Sequence, residues 1–439
     1  MRKSALKRCA RLRRLPALAG VILLLGQTLA AAANPESLAA PEDPRAQFAA
    51  RGLELSAAYT GEFAAVLSGG ARRGSTWLGL AEAALSVDGA RLGVGAGSRG
   101  YLHLIRPHGG DPAEAVGDAQ GVSNIAASSR GRILEAWLQQ NLFDDRLSLL
   151  AGRYDLNSEF YHLQAAMLFL NSSFGIGPDL SPVGVAGPSV YPDTAIAARA
   201  ALRPVAGVVL RGAVLNGVPV GITRANGRSG VRRSGDGLLA IGEAALVWPG
   251  GSSMHGEAHA AGRHRPAGRD AAEAARDGKL ALGAWRFRST FESLSPGAPD
   301  EIGATGVYLL GEDTLWRDAG NSSRRLRAFA QLGFGDADVA RFARYLGAGL
   351  VLDAPLPSRP DDQLGLAFAQ ARNGAPYLDA VRAGGGGADR AETSVELTWS
   401  AQLRGGVTLQ PSLQYVSNPG TDPALDDALA LLVRLQAGF

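Results

Sequence analysis

Several features that stabilise or anchor folded proteins are scarce in this chain. Its 439 residues contain a single cysteine, Cys9. Everything after residue 9 therefore lacks a thiol for a disulfide bond or a thiolate metal site. After residue 33 no apolar run approaches the roughly 20 residues that a membrane-spanning helix needs. Charged residues make up 19 % and hydrophobic residues 46 %, a composition that excludes intrinsic disorder. An extensive hydrogen-bonded network, such as a closed sheet, must hold the fold together.

The first 33 residues are organised as a secretory signal peptide, with a retained membrane helix as the alternative. A basic stretch over residues 2–14 precedes an apolar stretch over 15–29, and residues 30–33 are small, as cleavage requires. Without this leader the chain has 37 basic and 41 acidic residues, a net charge of −4. Acids and bases are interspersed in the rest of the chain, so we expect no nucleic-acid partner.

Alternation of apolar and polar residues is the strongest pattern after residue 50. Between 393 and 403, Val395, Leu397 and Trp399 share one face, and Glu396 and Thr398 share the other. A soluble sandwich could contain one such strand, but a membrane barrel repeats the pattern, with apolar residues toward lipid and polar residues toward water. The last segment also alternates, up to Phe439, as in the assembly signal of outer-membrane proteins.

Sixteen segments carry this pattern, and an even number is what a single-chain bacterial barrel needs. They are 53–67, 76–87, 91–104, 131–142, 147–155, 194–202, 206–216, 237–248, 279–288, 305–313, 326–335, 345–354, 363–372, 393–403, 407–416 and 428–439. We therefore predict an all-β fold, a transmembrane antiparallel β-barrel of about 16 strands over 48–439. A flexible segment over 34–47 precedes it.

Several segments of the chain resemble one porin family. LFLNSSFG at 168–175 and LPSRPDD at 356–362 are specific in combination, and the stretches from Arg51, Ile133, Gly306 and Glu392 fit as well. Together they resemble the OprB-type carbohydrate-selective porins. This resemblance implies a 16-stranded channel through which monosaccharides diffuse passively, with no cofactor. The chain departs from the family pattern in a long segment over 249–278 and in its richness in alanine.

The connection over 156–193 is long and too apolar to extend into water. Its apolar residues include Met167, Leu168 and Leu170. We predict that it folds into the barrel and narrows the pore; the alternatives are that it caps the mouth or packs against a neighbouring subunit. The predicted constriction residues are Phe169, Asn171, Ser172, Ser173, Phe174 and Asp179.

Charged residues within the predicted strands are expected to line the pore. An arginine facing lipid at mid-depth costs about 2–4 kcal/mol, so the inward face is favoured. Charges of both signs can exchange with the hydration shell of a sugar; the alternative is a solvated lining without any sugar preference. Tyr154 falls on the predicted outward phase, and Trp137 could stack on a sugar or only pack. The predicted pore-lining residues are Arg153, Asp155, Glu159, Arg199, Arg211, Glu135, Glu243, Glu396 and Arg434.

Other functions have weaker support. His255 and His259 lie about 13 Å apart if they are on a strand, so we predict no metal site. His103 and His162 are conceivable bases of a barrel hydrolase, but no Ser–His–acid grouping accompanies them, and we expect a channel rather than an enzyme. A general or anion-leaning porin is the nearest alternative, followed by a secreted carbohydrate-binding protein.

The expected location is the outer membrane of a Gram-negative cell. The partners that we expect are small sugars, outer-membrane lipid and lipopolysaccharide, and the barrel-assembly machinery, which would bind the strand that ends at Phe439. A homo-oligomer is a further possibility that the sequence leaves open.

Overall fold

A closed sheet of sixteen strands dominates the described part of this computed structural model, which covers residues 44–221, 237–248 and 278–438 except 322 and 404. The strands are β1 Leu53–Gly70, β2 Gly74–Asp88, β3 Ser98–Gly109, β4 Arg132–Leu142, β5 Leu147–Tyr154, β6 Ala195–Leu202, β7 Val208–Asn216, β8 Leu238–Trp248, β9 Gly278–Phe291, β10 Glu301–Arg317, β11 Arg325–Gly335, β12 Phe342–Asp353, β13 Gln363–Asn373, β14 Ala391–Gln402, β15 Val407–Ser417 and β16 Asp426–Gly438. Each strand pairs with its sequence neighbours, and β16 closes on β1. The predicted barrel of 16 strands is confirmed.

Three predicted features fall outside the described residues. They are the signal peptide over 1–33, Phe439, and residues 249–277 with both histidines of the rejected metal motif. The chain divides into the units Met1–Ala46 and Gln47–Phe439, and the sixteen strands described above lie in the second unit.

The two faces of the sheet differ as the alternation predicts. On β14, Glu396 is fully buried, whereas Leu397 is 48 % exposed. An exposed apolar outer face next to a polar inner face is the pattern of a barrel in lipid. Exposed aromatic side chains concentrate toward both ends of the outer face, as in the aromatic girdles of such barrels: Trp248, Trp316 and Trp399 toward one end, and Trp77, Phe334 and Tyr415 toward the other.

The connections identify the two ends of the barrel. Both β1 and β16 have their chain-terminal residues at one end, where the connections over 143–146, 203–207 and 403–406 are short. The opposite end has the long connections over 110–131, 155–194 and 374–390. Because periplasmic turns are short and extracellular loops long in outer-membrane barrels, we assign the end with the chain termini to the periplasm.

Within the described ranges, three α-helices accompany the strands: α1 Pro44–Ala50, α2 Ala113–Val116 and α3 Ala375–Ala383. Helix α1 begins inside the segment predicted to be flexible, because proline is well suited to the first turn of a helix. None of the helices in the described ranges is long and apolar enough to cross a bilayer.

Among the predicted strand boundaries, the beginning of β3 differs most from the structure. Strand β3 begins at Ser98 instead of residue 91, since Gly93, Gly95 and Gly97 all have positive φ and form the preceding turn. Such backbone angles favour glycine and interrupt an extended strand.

Candidate functional site

The connection between β5 and β6 fills much of the barrel interior. We call residues 155–194 the inner segment. Its apolar side chains, Phe160, Leu163, Phe169, Phe174 and Leu180 among them, are at most 1 % exposed and form one cluster with inward side chains of the strands. Phe169 and Phe174 both lie within 6 Å, centroid to centroid, of the ring of Phe329 on β11. The predicted inward fold of this segment is confirmed.

Carboxylates on the barrel wall accept hydrogen bonds from the backbone of the inner segment. Glu396 on β14 accepts from the amides of Leu170 at 2.8 Å and Asn171 at 3.0 Å. Glu312 on β10 accepts from the amides of residues 164 and 165, at 3.1 and 2.8 Å. Buried backbone amides need partners, and an irregular segment leaves some of its amides without an internal acceptor. Glu396 therefore faces the lumen as predicted, but it anchors the inner segment.

Side chains on the barrel wall donate hydrogen bonds to the carbonyl groups of the inner segment. Gln331 donates to the carbonyl of Phe174 at 3.0 Å, and Gln410 donates to that of Leu168 at 2.7 Å. Tyr345 donates its hydroxyl to the carbonyl of Ser173 at 2.8 Å. These contacts come from β11, β12 and β15, so the inner segment is fixed to several strands of the wall.

The polar residues predicted for the constriction stabilise turns and contacts within the barrel. The side chain of Asn171 accepts from the amide of Ser173 at 3.1 Å. Ser172 donates to the carbonyl of Ser123 at 3.2 Å. Asp179 accepts from the hydroxyl of Tyr161 at 2.9 Å. All four sequence-predicted polar residues are thus within the lumen, and their hydrogen bonds are internal.

Glu135 and Asp155 hold the beginning of the inner segment. One carboxylate oxygen of Glu135 lies 3.2 Å from the indole nitrogen of Trp137 and 3.3 Å from the amide of Asp155, and it accepts from both. The carboxylate of Asp155 accepts from the amide of Asn157 at 2.9 Å. Glu135 and Asp155 were predicted to line the pore, but these hydrogen bonds are structural.

Three of the predicted lumen charges, Glu243, Arg211 and Arg434, are closed off by ion pairs. Glu243 lies 3.3 Å from Arg211 and 3.0 Å from Lys279, and Arg434 lies 2.6 Å from Glu62. The side chains of these five residues are at most 8 % exposed, and those of Glu243 and Glu62 are fully buried. The inward placement of Glu243, Arg211 and Arg434 is as predicted, but such closed side chains cannot contact a passing solute.

Arg153 and Tyr154 lie on the opposite faces of β5 from those that we predicted: Arg153 faces outward and Tyr154 faces inward. Arg153 pairs in register with the exposed Ile196, and Tyr154 pairs with the buried Ala195. The Arg153 guanidinium donates to Thr194 Oγ1 at 2.8 Å at the end of the strand, away from mid-depth. Tyr154 is inward and donates its hydroxyl to Glu159 at 2.6 Å. The prediction that Arg153 lines the lumen is therefore wrong.

Several charged side chains on the lumen side keep exposed surface, and five of them form ion pairs within the barrel. In the inner segment, Glu159 is 12 % exposed and pairs with Arg199 on β6, whose own side chain is only 2 % exposed. Glu82 on β2 is 14 % exposed. Near the periplasmic end, Arg325 and Arg327 on β11 and Asp353 on β12 are 30 %, 13 % and 11 % exposed.

The cluster at the periplasmic end was missed by the sequence reasoning. Asp353 accepts from Arg325 at 2.7 Å, from Arg327 at 2.8 Å and from Gln363 at 2.6 Å. The signal was available, because Arg325 and Arg327 share the phase of the inward Gln331 on a segment that we already predicted as a strand.

Comparison with known proteins agrees with this architecture. Over residues 79–439 the chain matches the family model described as "Carbohydrate-selective porin, OprB family". Porin B of Pseudomonas aeruginosa is 25 % identical over 147 residues, which are 30 % of this chain and 32 % of that protein. The aligned part therefore spans about a third of the length of that relative.

Solved structures share the fold at low identity. The high-pH structure of Pseudomonas putida OprB gives a TM-score of 0.75 at 18 % identity, covering 90 % of this chain and 96 % of that chain. Salmonella typhi OmpF, in complex with daunomycin, gives 0.52 at 9 % identity, covering 89 % and 98 %. Identities this low show a common fold alone.

Proposed function

Because the chain belongs to the OprB family of carbohydrate-selective porins, we propose that its lumen passes small neutral sugars by passive diffusion across the outer membrane. The observation that carries the proposal is a closed barrel narrowed by an inner segment, with charges of both signs exposed on the lumen side. The family is one of porins, which confirms the expectation of a channel rather than an enzyme.

The five partly exposed, ion-paired groups are the proposed sugar contacts. A sugar hydroxyl is both donor and acceptor, so it can accept from Arg325 or Arg327 and donate to Glu82, Glu159 or Asp353. Each of these groups also has a protein partner, which limits how tightly it holds a sugar. Conduction requires contacts of this kind, favourable enough for entry and weak enough for release.

A buried polar network lies beside Glu159 on the barrel wall. Gln139 donates to Asn141 at 2.9 Å, and Arg199 donates to Gln139 at 3.1 Å and to Ser148 at 2.8 Å. These side chains are inward and at most 6 % exposed, so they hold Arg199 in position rather than contact a sugar. The partly exposed Glu159 is therefore the proposed sugar contact on this side of the lumen.

The wider setting of the channel is also a proposal. The outward face fits outer-membrane lipid and lipopolysaccharide, and recognition by the barrel-assembly machinery is proposed for the strand that ends at Phe439. A homo-oligomer stays a prediction.

Liposome swelling tests the proposal. Refolded protein is inserted into liposomes, and the entry of glucose is compared with that of a neutral polyol and an amino acid of similar size. We expect glucose to enter faster than its size predicts. Entry that follows size alone would leave a porin without sugar selectivity, and no swelling by folded, inserted protein would contradict a channel.

One observation favours the anion-leaning alternative. Arg317 lies directly opposite Arg325 in the ladder, so three arginines share the periplasmic end of the lumen with Asp353. The reversal potential in a salt gradient measures the preference of the channel for anions over cations. Strong anion selectivity together with size-ordered sugar entry would establish the alternative.

A further inference from the structure

Two arginines face each other on the outer surface of the barrel. Arg344 on β12 and Arg372 on β13 are direct partners in the antiparallel ladder, and both are exposed. Their sequence neighbours Tyr345 and Ala371 are buried in the interior, so both arginines point outward. The Cβ atoms of residues directly opposite each other are about 4.5–5.5 Å apart, and like charges there are destabilising.

The described residues provide no counter-charge for this pair. Within residues 44–221, 237–248 and 278–438, neither guanidinium makes an ion pair or a hydrogen bond to another side chain. The residues opposite them on the flanking strands are Phe334 and Ala391, which are uncharged. At the periplasmic end of the lumen, in contrast, Arg325 and Arg327 share the counter-charge of Asp353.

The pair lies near the extracellular end of the outer surface. Arg344 is two residues from the beginning of β12, and Arg372 is one residue from the end of β13. The ring of Phe334, directly opposite Arg344 in the ladder, is 45 % exposed. An outward arginine costs about 2–4 kcal/mol at mid-depth and about 0–1 kcal/mol near an interface, so this position corresponds to the level of the lipid headgroups.

We propose that Arg344 and Arg372 together bind one phosphate group of a phosphorylated glycolipid in the outer leaflet. A phosphate accepts hydrogen bonds from two guanidinium groups at once, and arginine is suited to this planar, bidentate recognition. The bound anion would also relieve the repulsion between the two arginines. The inference depends on the outer-membrane location of the barrel and not on what passes through its lumen.

The test measures the binding of purified lipid A to lipid-free protein in detergent. Bound lipid is counted by native mass spectrometry, and the apparent Tm is recorded with and without lipid A. The variant Arg344→Gln/Arg372→Gln should lose at least about tenfold in affinity, since two charge-assisted contacts are removed. The control Arg106→Gln removes an outward arginine that lies opposite Ala81, and it should bind as the wild type does.

A second measurement separates binding from a purely structural role. Without lipid, Arg344→Gln should raise the apparent Tm because it removes the like-charge contact; with lipid A it should lower the Tm relative to the wild type. Equal lipid A binding by the double variant would overturn the proposal. So would equal stabilisation by inorganic phosphate at the same concentration, or binding of dephosphorylated lipid A as tight as that of lipid A. Sugar entry measured on the same variant should not change, so a failure here is distinguishable from a failure of the proposed channel.

Discussion

Arg199 on the barrel wall and Glu159 in the inner segment are joined by an ion pair, with 2.8 Å between Nε and Oε2. The hydroxyl of Tyr154 donates to the same carboxylate at 2.6 Å. The first residues after β5 are therefore held against β6 from two sides. Because the inner segment occupies the lumen, the strength of this attachment should influence how wide an opening the channel offers.

Glu159→Gln should widen the channel and weaken the fold slightly. The substitution keeps the size of the side chain but removes the charge that holds Arg199. Since Glu159 is partly exposed, we expect a loss of about 1–3 kcal/mol, below the value for fully buried pairs. Swelling rates with a disaccharide, relative to glucose, should rise. The control is Glu54→Gln, which changes an exposed glutamate on the inward phase of β1. An unchanged disaccharide rate would show that this ion pair does not position the segment.

Glu243→Gln should lower stability without changing sugar preference. Its carboxylate is fully buried and contacts Arg211, Lys279, the hydroxyl of Tyr308 at 2.9 Å and the amide of Tyr161 at 3.2 Å. Removing one partner of a buried ion pair costs about 3–5 kcal/mol, because the cations lose their compensation. The apparent Tm in detergent should fall clearly, and it should not fall for the exposed Glu292→Gln.

Glucose entry, measured per folded channel, distinguishes a structural role of Glu243 from direct contact with the solute. If the glucose-to-polyol ratio of the variant changes while its Tm does not, Glu243 contacts the solute and the structural assignment is wrong.

Arg327→Gln should reduce the preference for sugar over polyol. Arg327 is 13 % exposed on the lumen side, and Asp353 keeps Arg325 and Gln363 as donors after the change. Loss of one charge-assisted hydrogen bond to a passing sugar should lower the glucose-to-polyol ratio about two- to tenfold. Arg324→Gln, in the neighbouring turn, is the matched control. If both variants retain the wild-type ratio, the cluster at the periplasmic end does not select sugars.

The barrel could be predicted from the sequence because strand alternation is a local property. The segment predicted at 393–403 is observed at Ala391–Gln402, and that at 428–439 is observed at Asp426–Gly438. Each polar side chain in those segments must avoid lipid, so the phase is fixed by the residues of the strand itself.

The face of the sheet on which a side chain lies could not be predicted where the local sequence does not alternate. Leu149, Leu150 and Ala151 are all apolar, so nothing around Arg153 distinguishes the two faces of β5. The hydrogen bonds between the wall carboxylates and the inner segment could not be predicted for another reason. Glu396 and the amide of Leu170 are 226 residues apart in sequence, and only the closed barrel brings them together.

Asp118→Asn should make the protein more stable at alkaline pH. Burial raises the pKa of Asp118 to about 8, and the nearby Glu392 carboxylate adds to the rise. Both carboxylate oxygens of Asp118 are buried without a hydrogen-bond partner in the described structure. In an unfolded chain this group titrates near pH 4.

The sign follows from proton binding. Between about pH 4 and pH 8 the folded protein holds the proton that the unfolded chain has lost, so stability falls as pH rises through this window. The apparent Tm of Asp118→Asn should match that of the wild type near pH 4 and exceed it at pH 8 to 9. The exposed Asp111→Asn in the same loop should follow the wild type. Parallel Tm profiles for wild type and Asp118→Asn would refute the raised pKa.

Gly333→Ala should displace the inner segment from the wall. A Cβ atom at Gly333 on β11 would overlap the carboxylate of Asp179. Strand β11 is hydrogen-bonded on both sides, so it cannot retreat, and the inner segment has to move instead. Overpacking of this kind costs about 1–3 kcal/mol. The apparent Tm should fall, and larger sugars should enter faster relative to glucose.

The matched control is Gly311→Ala on β10, where the nearest heavy atom to the added Cβ is 3.9 Å away. Because the added methyl group there meets no crowded neighbour, size selectivity should stay as in the wild type. The comparison isolates the contact between β11 and the inner segment, since both variants add the same group to the same barrel. If Gly333→Ala leaves both Tm and sugar size selectivity unchanged, Asp179 moves freely, and the contact does not set the width of the channel.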